Sequence, residues 1–100
     1  MSTDKKSYFL KLNPPRASFT SDMTDEERAI MLKHVAYWKQ YIEDGTCVVL
    51  GPVADPKGAY GIAVVQVESE DQLNKMIKND PANGLNSYEI YPMRAVTKQQ

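Results

Sequence analysis

The chain has 100 residues, of which 42% are hydrophobic and 25% charged, and its formal net charge is −1. This length suits one small domain, which we expect over residues 1–100 with a core at about 7–96. The charge excludes the positive field that nucleic acid binding needs, no apolar run reaches the ~20 residues that span a bilayer, and no export signal begins the chain, so we expect a cytoplasmic protein.

The first predicted element is a strand over residues 7–13. The run YFLKL has strand length, and the two prolines that follow it prevent its continuation in a central ladder. Residues 14–23 contain turn residues without a period, so we predict a long loop there. Long connections in compact domains often carry function, and this one contains Arg16.

A long helix is predicted over residues 24–44. Thr24 and Glu27 have the spacing of a capping box, and Gly45 supplies a residue that tolerates positive φ at the helix end. The chain's only histidine, His34, falls at the centre of the face that this helix should bury. The other members of that face are Ile30, Tyr37, Trp38 and Tyr41.

The second half of the chain predicts a hairpin, a short helix and a last strand. Residues 46–53 and 59–67 are rich in β-branched and aromatic residues, with turn residues between them. Ser69 and Gln72 have the spacing of another capping box, which opens a helix that ends near Asn79. The alternating run at 87–96 predicts the last strand.

The element order is therefore βαββαβ, which is typical of an α+β, ferredoxin-like sandwich. Both helices should cover one face of an antiparallel sheet. The other face also needs a cover, and the same face of a second copy would supply it. We therefore expect a homodimer.

His34 has three interpretations, which the residues alone leave open. It can be a core histidine bonded to a backbone carbonyl or a tyrosine hydroxyl, a general base, or a ligand of haem or a metal. With Cys47 as the only cysteine and no pair of ligands at a metal-type spacing, we predict no metal site.

Two carboxylates are candidates to act with His34. Asp55 and Asp80 each precede a proline, which biases them away from helical backbone and fixes their direction. Asp80 closes the second helix, which lies beside the first in this fold, so it is the better candidate to hold the imidazole in one tautomer. A histidine oriented in this way can act as a general base, whereas Asp55 remains an alternative partner and a candidate substrate contact.

Arg16 and Tyr37 are further candidate substrate contacts. The Arg16 guanidinium suits a carboxylate or an oxyanion, although it can equally be a solvated surface charge. Tyr37 belongs to an aromatic group that also suits packing in the core or at a dimer interface. Because the Arg16 guanidinium suits an anionic group, we expect a small, anionic ligand. We expect no cofactor, because the chain has neither a glycine-rich phosphate loop nor a dinucleotide fingerprint.

Several runs resemble the YciI-like, or YCII-related, domain family over about residues 8–96. They are LNPPRASF, MTDEERAIMLKHVAYWKQYIEDG, VLGPVADPKGAYGIAVVQVES, NDPANG and YEIYPMRAV. One departure is PRA where the family often has Arg-Pro, which affects the stiffness of that loop. The resemblance implies a dimeric α+β barrel and a site where a histidine and an aspartate, here His34 and Asp80, face a pocket.

The resemblance also implies a class of chemistry. Related dimeric barrels include muconolactone isomerase-like enzymes and a dehalogenase of chlorinated muconolactones, so the expectation is cofactor-free acid–base chemistry on a small carboxylate or lactone. The alternative is a non-catalytic dimeric module that binds a small ligand. Since a fold does not determine function, and this superfamily also contains haem proteins, both stay open.

Overall fold

The computed structural model of the protein describes residues 5–98, and within them four strands and three helices follow one another. These elements are β1 (Lys6–Asn13), α1 (Phe19–Asp22), α2 (Asp25–Glu43), β2 (Cys47–Val53), β3 (Tyr60–Val67), α3 (Glu70–Lys78) and β4 (Ser87–Met93). No helix in this part of the chain is both long and apolar enough to cross a membrane.

The strands form one antiparallel sheet in the order β2-β3-β1-β4. In the centre of this sheet, Leu10 of β1 lies opposite Ala63 of β3 and Ile90 of β4. This strand order, with α2 and α3 inserted between strands, is the ferredoxin-like arrangement. The predicted α+β fold class is confirmed.

The core lies between the sheet and the two longer helices. Tyr8, Leu10 and Leu12 alternate along β1 and are buried on the face that meets the helices. Trp38 of α2 and Leu73 of α3 are almost completely buried against this face. The alternate residues of β1 and the residues of one face of α2 therefore pack together in one apolar layer.

The start of α2 is built as its sequence predicts. The Glu27 N–H donates to Thr24 Oγ1 at 3.1 Å, and the Thr24 N–H donates to Glu27 Oε1 at 2.9 Å. Both bonds of the capping box are therefore present. At the other end, Gly45 follows the helix with a φ of 85°, which glycine adopts without steric cost.

The start of α3 differs from its prediction in one bond. The Gln72 N–H donates to Ser69 Oγ at 3.2 Å, as a capping box requires. The side-chain oxygen of Gln72, however, accepts from the N–H of Glu68 at 2.8 Å and not from that of Ser69. The prediction of a second complete capping box was wrong, although the helix begins where it was expected.

Two boundaries also depart from the sequence prediction. The predicted loop at 14–23 contains α1, in which the Ser18 carbonyl accepts the N–H groups of Ser21 and Asp22 at 2.9 and 3.1 Å. The last strand ends at Met93 and not at 96. Met93 pairs with Ser7 of β1, and β1 itself begins only one residue earlier, at Lys6.

The face of the sheet opposite the helices has an apolar, partly exposed centre, with Lys11 and Glu89 paired beside it. Phe9 of β1 and Tyr91 of β4 lie side by side there, with ring centroids 6.1 Å apart. On the same face, Val49 of β2 pairs with Val64 of β3, and Val49, Tyr91 and Met93 are 48%, 46% and 38% exposed. The expectation that both faces of the sheet need a cover therefore has a physical basis.

Candidate active site

The structure brings His34 of α2 against Asp80, which follows α3. Nδ1 of the imidazole lies 2.9 Å from both carboxylate oxygens of Asp80. The Asp80 side chain is fully buried, and His34 as a residue is 8% exposed. Of the two Asp-Pro carboxylates in the sequence, Asp80 is therefore the one that reaches His34.

The Asp80 carboxylate is surrounded by hydrogen-bond donors. Besides His34, it accepts from Trp38 Nε1 at 2.9 Å, from the Ala82 N–H at 2.9 Å and from the Tyr88 hydroxyl. Burial by itself would raise the pKa of Asp80, but these bonds outweigh burial and hold the pKa below its usual value. Asp80 therefore stays ionised at neutral pH inside the protein.

This environment determines the tautomer of His34. An ionised carboxylate only accepts hydrogen bonds, so the proton of the neutral imidazole lies on Nδ1. Nε2 then carries the lone pair, and no group within residues 5–98 donates to it or accepts from it. The second ring nitrogen is therefore the one that can take a proton from another molecule.

The loop after α3 fixes the direction of Asp80. Pro81 cannot continue a helical hydrogen-bond pattern, so the chain turns immediately after Asp80. The Asp80 N–H donates to the Ile77 carbonyl at 3.1 Å, and the Asp80 carbonyl accepts from the Asn83 N–H at 2.9 Å. The carboxylate is consequently held by backbone on both sides before it meets His34.

His34 lines a cavity of about 270 Å³ between α2 and the sheet. Its walls are mainly apolar and include Leu10 and Leu12 of β1, Phe19 of α1 and Trp38 of α2. Among the described residues that line it, none is a lysine, arginine, aspartate or glutamate. An apolar cavity with very few polar groups is the common form of a small-molecule site.

Arg16 lies outside this cavity. Its Nη1 and Nη2 donate to the two oxygens of Glu27 at 2.9 and 2.8 Å, and its Nε donates to Asp22 Oδ1 at 2.9 Å. The guanidinium also lies over the ring of Phe19, at 5.3 Å from the centroid. Arg16 thus connects the loop before α1 to the first turn of α2, and its guanidinium is already bonded to carboxylates.

The pKa of Glu27 reports this contact. The hydrogen bonds from Arg16, with those from Thr24, lower the pKa of Glu27 from 4.5 to about 2. In an Arg16→Gln variant we expect the pKa of Glu27, measured by carbon NMR, to rise from about 2 toward 4.5 without reaching it, because the bonds to Thr24 remain. Because the pKa is lowered on folding, this contact stabilises the protein fully above pH 4.5 and is lost as the pH falls toward 2.

Arg28→Gln is the matched control for this titration, since Arg28 is an exposed arginine on the same helix turn. Glu27 should still titrate near 2 in this control. An unchanged Glu27 titration in Arg16→Gln would contradict the assignment of Arg16 as the tie between the loop and α2.

Tyr37 and Asp55 also lie outside the cavity. The Tyr37 hydroxyl donates to the Met76 carbonyl at 2.7 Å, which joins α2 to α3, and burial raises the pKa of Tyr37 far above its usual value. Asp55 lies in the turn between β2 and β3, where its Oδ1 accepts from the Lys57 N–H at 2.9 Å. Both side chains make structural contacts.

Two cavity residues escaped the sequence interpretation. Tyr88 lies opposite Leu12, on the face of the sheet that meets the helices. Burial, together with the nearby Asp80 carboxylate, raises the pKa of Tyr88 far above its usual value. The Tyr88 hydroxyl therefore stays protonated and donates a hydrogen bond to Asp80. The alternation in β4 was the available signal for Tyr88, whereas nothing in the sequence marked Asn86, which the fold places in the same wall.

The remaining groups that could carry metal or thiol chemistry do not converge. Within residues 5–98, no three His, Cys, Asp or Glu side chains are grouped so that they could hold a metal ion together. Cys47 is buried in β2, its thiol donates to the Val49 carbonyl at 3.3 Å, and burial raises its pKa to about 11. A thiol with so high a pKa is a poor nucleophile at neutral pH.

Comparison with known proteins identifies the family of this chain. A family model described as YCII-related domain matches residues 8–97 of the chain. The matched range contains His34, Asp80 and Tyr88, so the whole cluster around the buried carboxylate lies within it. No curated protein matches the chain.

Proposed function

The chain belongs to the YCII-related domain family, and we propose that it is an enzyme that transfers protons on a small molecule without a cofactor. One observation carries this proposal. The Nδ1–H of His34 is held by a buried carboxylate that four donors saturate, while the same imidazole lines an apolar cavity. An oriented imidazole beside a bound molecule is the arrangement that general acid–base catalysis requires.

In the proposed reaction, Nε2 of His34 takes a proton from the carbon next to the carbonyl of an unsaturated lactone. The electron pair of that C–H bond passes into the lactone and forms a dienolate, and the imidazole becomes a cation. Asp80 stabilises this imidazolium through Nδ1–H. The proton then returns from Nε2 to the far carbon, so the double bond moves and no oxidant or reductant is needed.

The composition of the cavity favours a lactone over a carboxylate as substrate. A carboxylate that leaves water needs a cation or several donors to compensate for its lost hydration. The cavity offers no lysine or arginine among the described residues, and Arg16 is bonded to Glu27 and Asp22. A neutral lactone avoids that cost.

The test is the isomerisation of α-angelica lactone, whose double bond is one carbon away from conjugation, in deuterated water followed by proton NMR. We expect wild-type protein to speed both deuterium uptake next to the carbonyl and formation of the conjugated isomer, relative to buffer. A rate equal to that of buffer at millimolar lactone would count against the proposal.

We also propose that two copies of the chain associate through the apolar face of the sheet opposite the helices. Val64 lies at the centre of this face between Phe9 and Val49, and the partly exposed Tyr91 and Met93 lie on the same face. Burying such a face against its own copy gives a symmetric interface. Size-exclusion chromatography with light scattering should then give twice the chain mass of 11.3 kDa.

A Val64→Glu variant is expected to elute as a monomer, because the interface would bury an unpaired carboxylate. Leu32→Glu is the control, since Leu32 is 68% exposed on α2, away from that face, and its replacement should leave the dimer intact. A wild-type mass of a single chain, or a dimer that survives Val64→Glu, would show that this face is not the interface.

A further inference from the structure

The side-chain amide of Asn86 is buried in the wall of the His34 cavity with one hydrogen bond missing. Asn86 is 5% exposed, and its Oδ1 has no hydrogen-bond partner within residues 5–98. Its Nδ2 donates only to the sulfur of Met31, at 3.3 Å, and a thioether is a weak acceptor. Buried polar atoms are rarely left without a partner, so this oxygen needs an explanation.

The backbone of Asn86 is held firmly even though its side chain is not. The Asn86 N–H donates to the Ala82 carbonyl at 3.0 Å, and the Ala82 N–H donates to Asp80 Oδ1 at 2.9 Å. The turn that aims Asp80 at His34 therefore also places Asn86. The terminal torsion of an asparagine rotates over a broad range, so its amide can turn toward a molecule in the cavity.

Among the buried polar side chains of the cavity, the two groups without a partner are both acceptors. Three buried residues with polar side chains line it: His34, Trp38 and Asn86. The Trp38 N–H and the His34 Nδ1–H both go to Asp80. Among these buried groups, what is left is Nε2 of His34 and Oδ1 of Asn86, so a bound molecule that bonds to either of them has to supply the donor.

We propose that Asn86 determines specificity by accepting a hydrogen bond from a hydroxyl or N–H group of an uncharged, otherwise apolar ligand in the His34 cavity. This inference deepens the proposed function, on which it rests, because it assigns the substrate of the same site a donor group. The substrate class becomes a hydroxylated lactone. A site built around such a bond discriminates strongly against the analogue that lacks the donor.

The experiment compares two probes of nearly equal shape, p-cresol and p-xylene, which differ by a hydroxyl in place of a methyl. Their dissociation constants are measured by NMR titration of wild type, Asn86→Leu and the control Asn83→Ala. Leucine has the same number and branching of side-chain heavy atoms as asparagine without its polar groups, and Asn83 is an exposed asparagine of the same loop.

We expect the preference for p-cresol over p-xylene to fall about 10-fold in Asn86→Leu, since one hydrogen bond to a buried group is lost, and to be unchanged in Asn83→Ala. In wild type, the side-chain amide signal of Asn86 should shift with p-cresol and not with p-xylene, which needs no variant. The proposal would be overturned if all three proteins prefer p-cresol over p-xylene to the same extent and the Asn86 amide signal does not move. It would also be overturned if wild type binds neither probe. Because these are binding measurements, they stand even if wild type isomerises no lactone.

Discussion

A His34→Asn variant is expected to isomerise the lactone about 10²- to 10⁴-fold more slowly than wild type, which is the usual effect of removing a general base. Asparagine cannot take a proton at neutral pH, so the step that starts the reaction is lost. The protein should stay folded, because the substitution removes one hydrogen bond to the Asp80 carboxylate, worth about 1.5–3 kcal/mol for a charged acceptor, while Trp38, Ala82 and Tyr88 still donate. Turnover by NMR and unfolding in urea measure both effects.

Lys33→Asn is the matched control, since it places the same new residue at the exposed neighbouring position of α2. It should leave turnover unchanged, although it loses more helix propensity than His34→Asn does, because lysine is a better helix former than histidine. If the His34→Asn variant unfolds, the role of the histidine is structural, as a hydrogen-bonded residue of the core. If the variant and wild type bind ligand alike but neither turns it over, the protein is the binding module that the sequence also allows.

Replacing Asp80 by alanine is expected to lower the free energy of unfolding by about 3–5 kcal/mol, the usual cost of breaking a buried charge cluster from one side. The change leaves Trp38 Nε1, the Ala82 N–H and the Tyr88 hydroxyl without their acceptor. That loss is a large part of the ~5–15 kcal/mol that a domain possesses. Urea unfolding at neutral pH measures it.

Asp55→Ala supplies the comparison, because both aspartates precede a proline. Asp55 accepts one backbone N–H in a turn, from Lys57, so its loss should cost about 1 kcal/mol. Equal losses of stability in the two variants would contradict the view that Asp80 alone is the centre of a buried network.

The pH dependence gives an independent test with Asp80→Asn, which keeps the shape of the side chain. Because the pKa of Asp80 is lowered on folding, its charge stabilises the folded state fully above the ordinary value of 3.8. The excess stability of wild type over Asp80→Asn should be constant above about pH 5 and should shrink as the pH falls below 3.8. An excess that grows on acidification would mean that the pKa is raised.

Much of the fold was predictable because its signals are local. The capping pair Thr24 and Glu27 set the start of α2, and the alternation from Tyr8 to Leu12 set the buried face of β1. The short helix α1 was missed because four residues carry no period, and it depends on the burial of Phe19. The end of β4 was missed because the extent of β1 decides it.

The sequence by itself determined the element order and the central position of His34 on a buried helix face, and it favoured Asp80 over Asp55 as the partner of His34 without deciding between them; the structure decided for Asp80. It could do so because periodicity, caps and prolines act within a few residues of each other. The tertiary structure alone decided which polar groups meet in the cavity. It places Arg16, Tyr37 and Asp55 in structural contacts outside and brings Asn86 and Tyr88 in, since cavity walls are made by residues far apart in the chain.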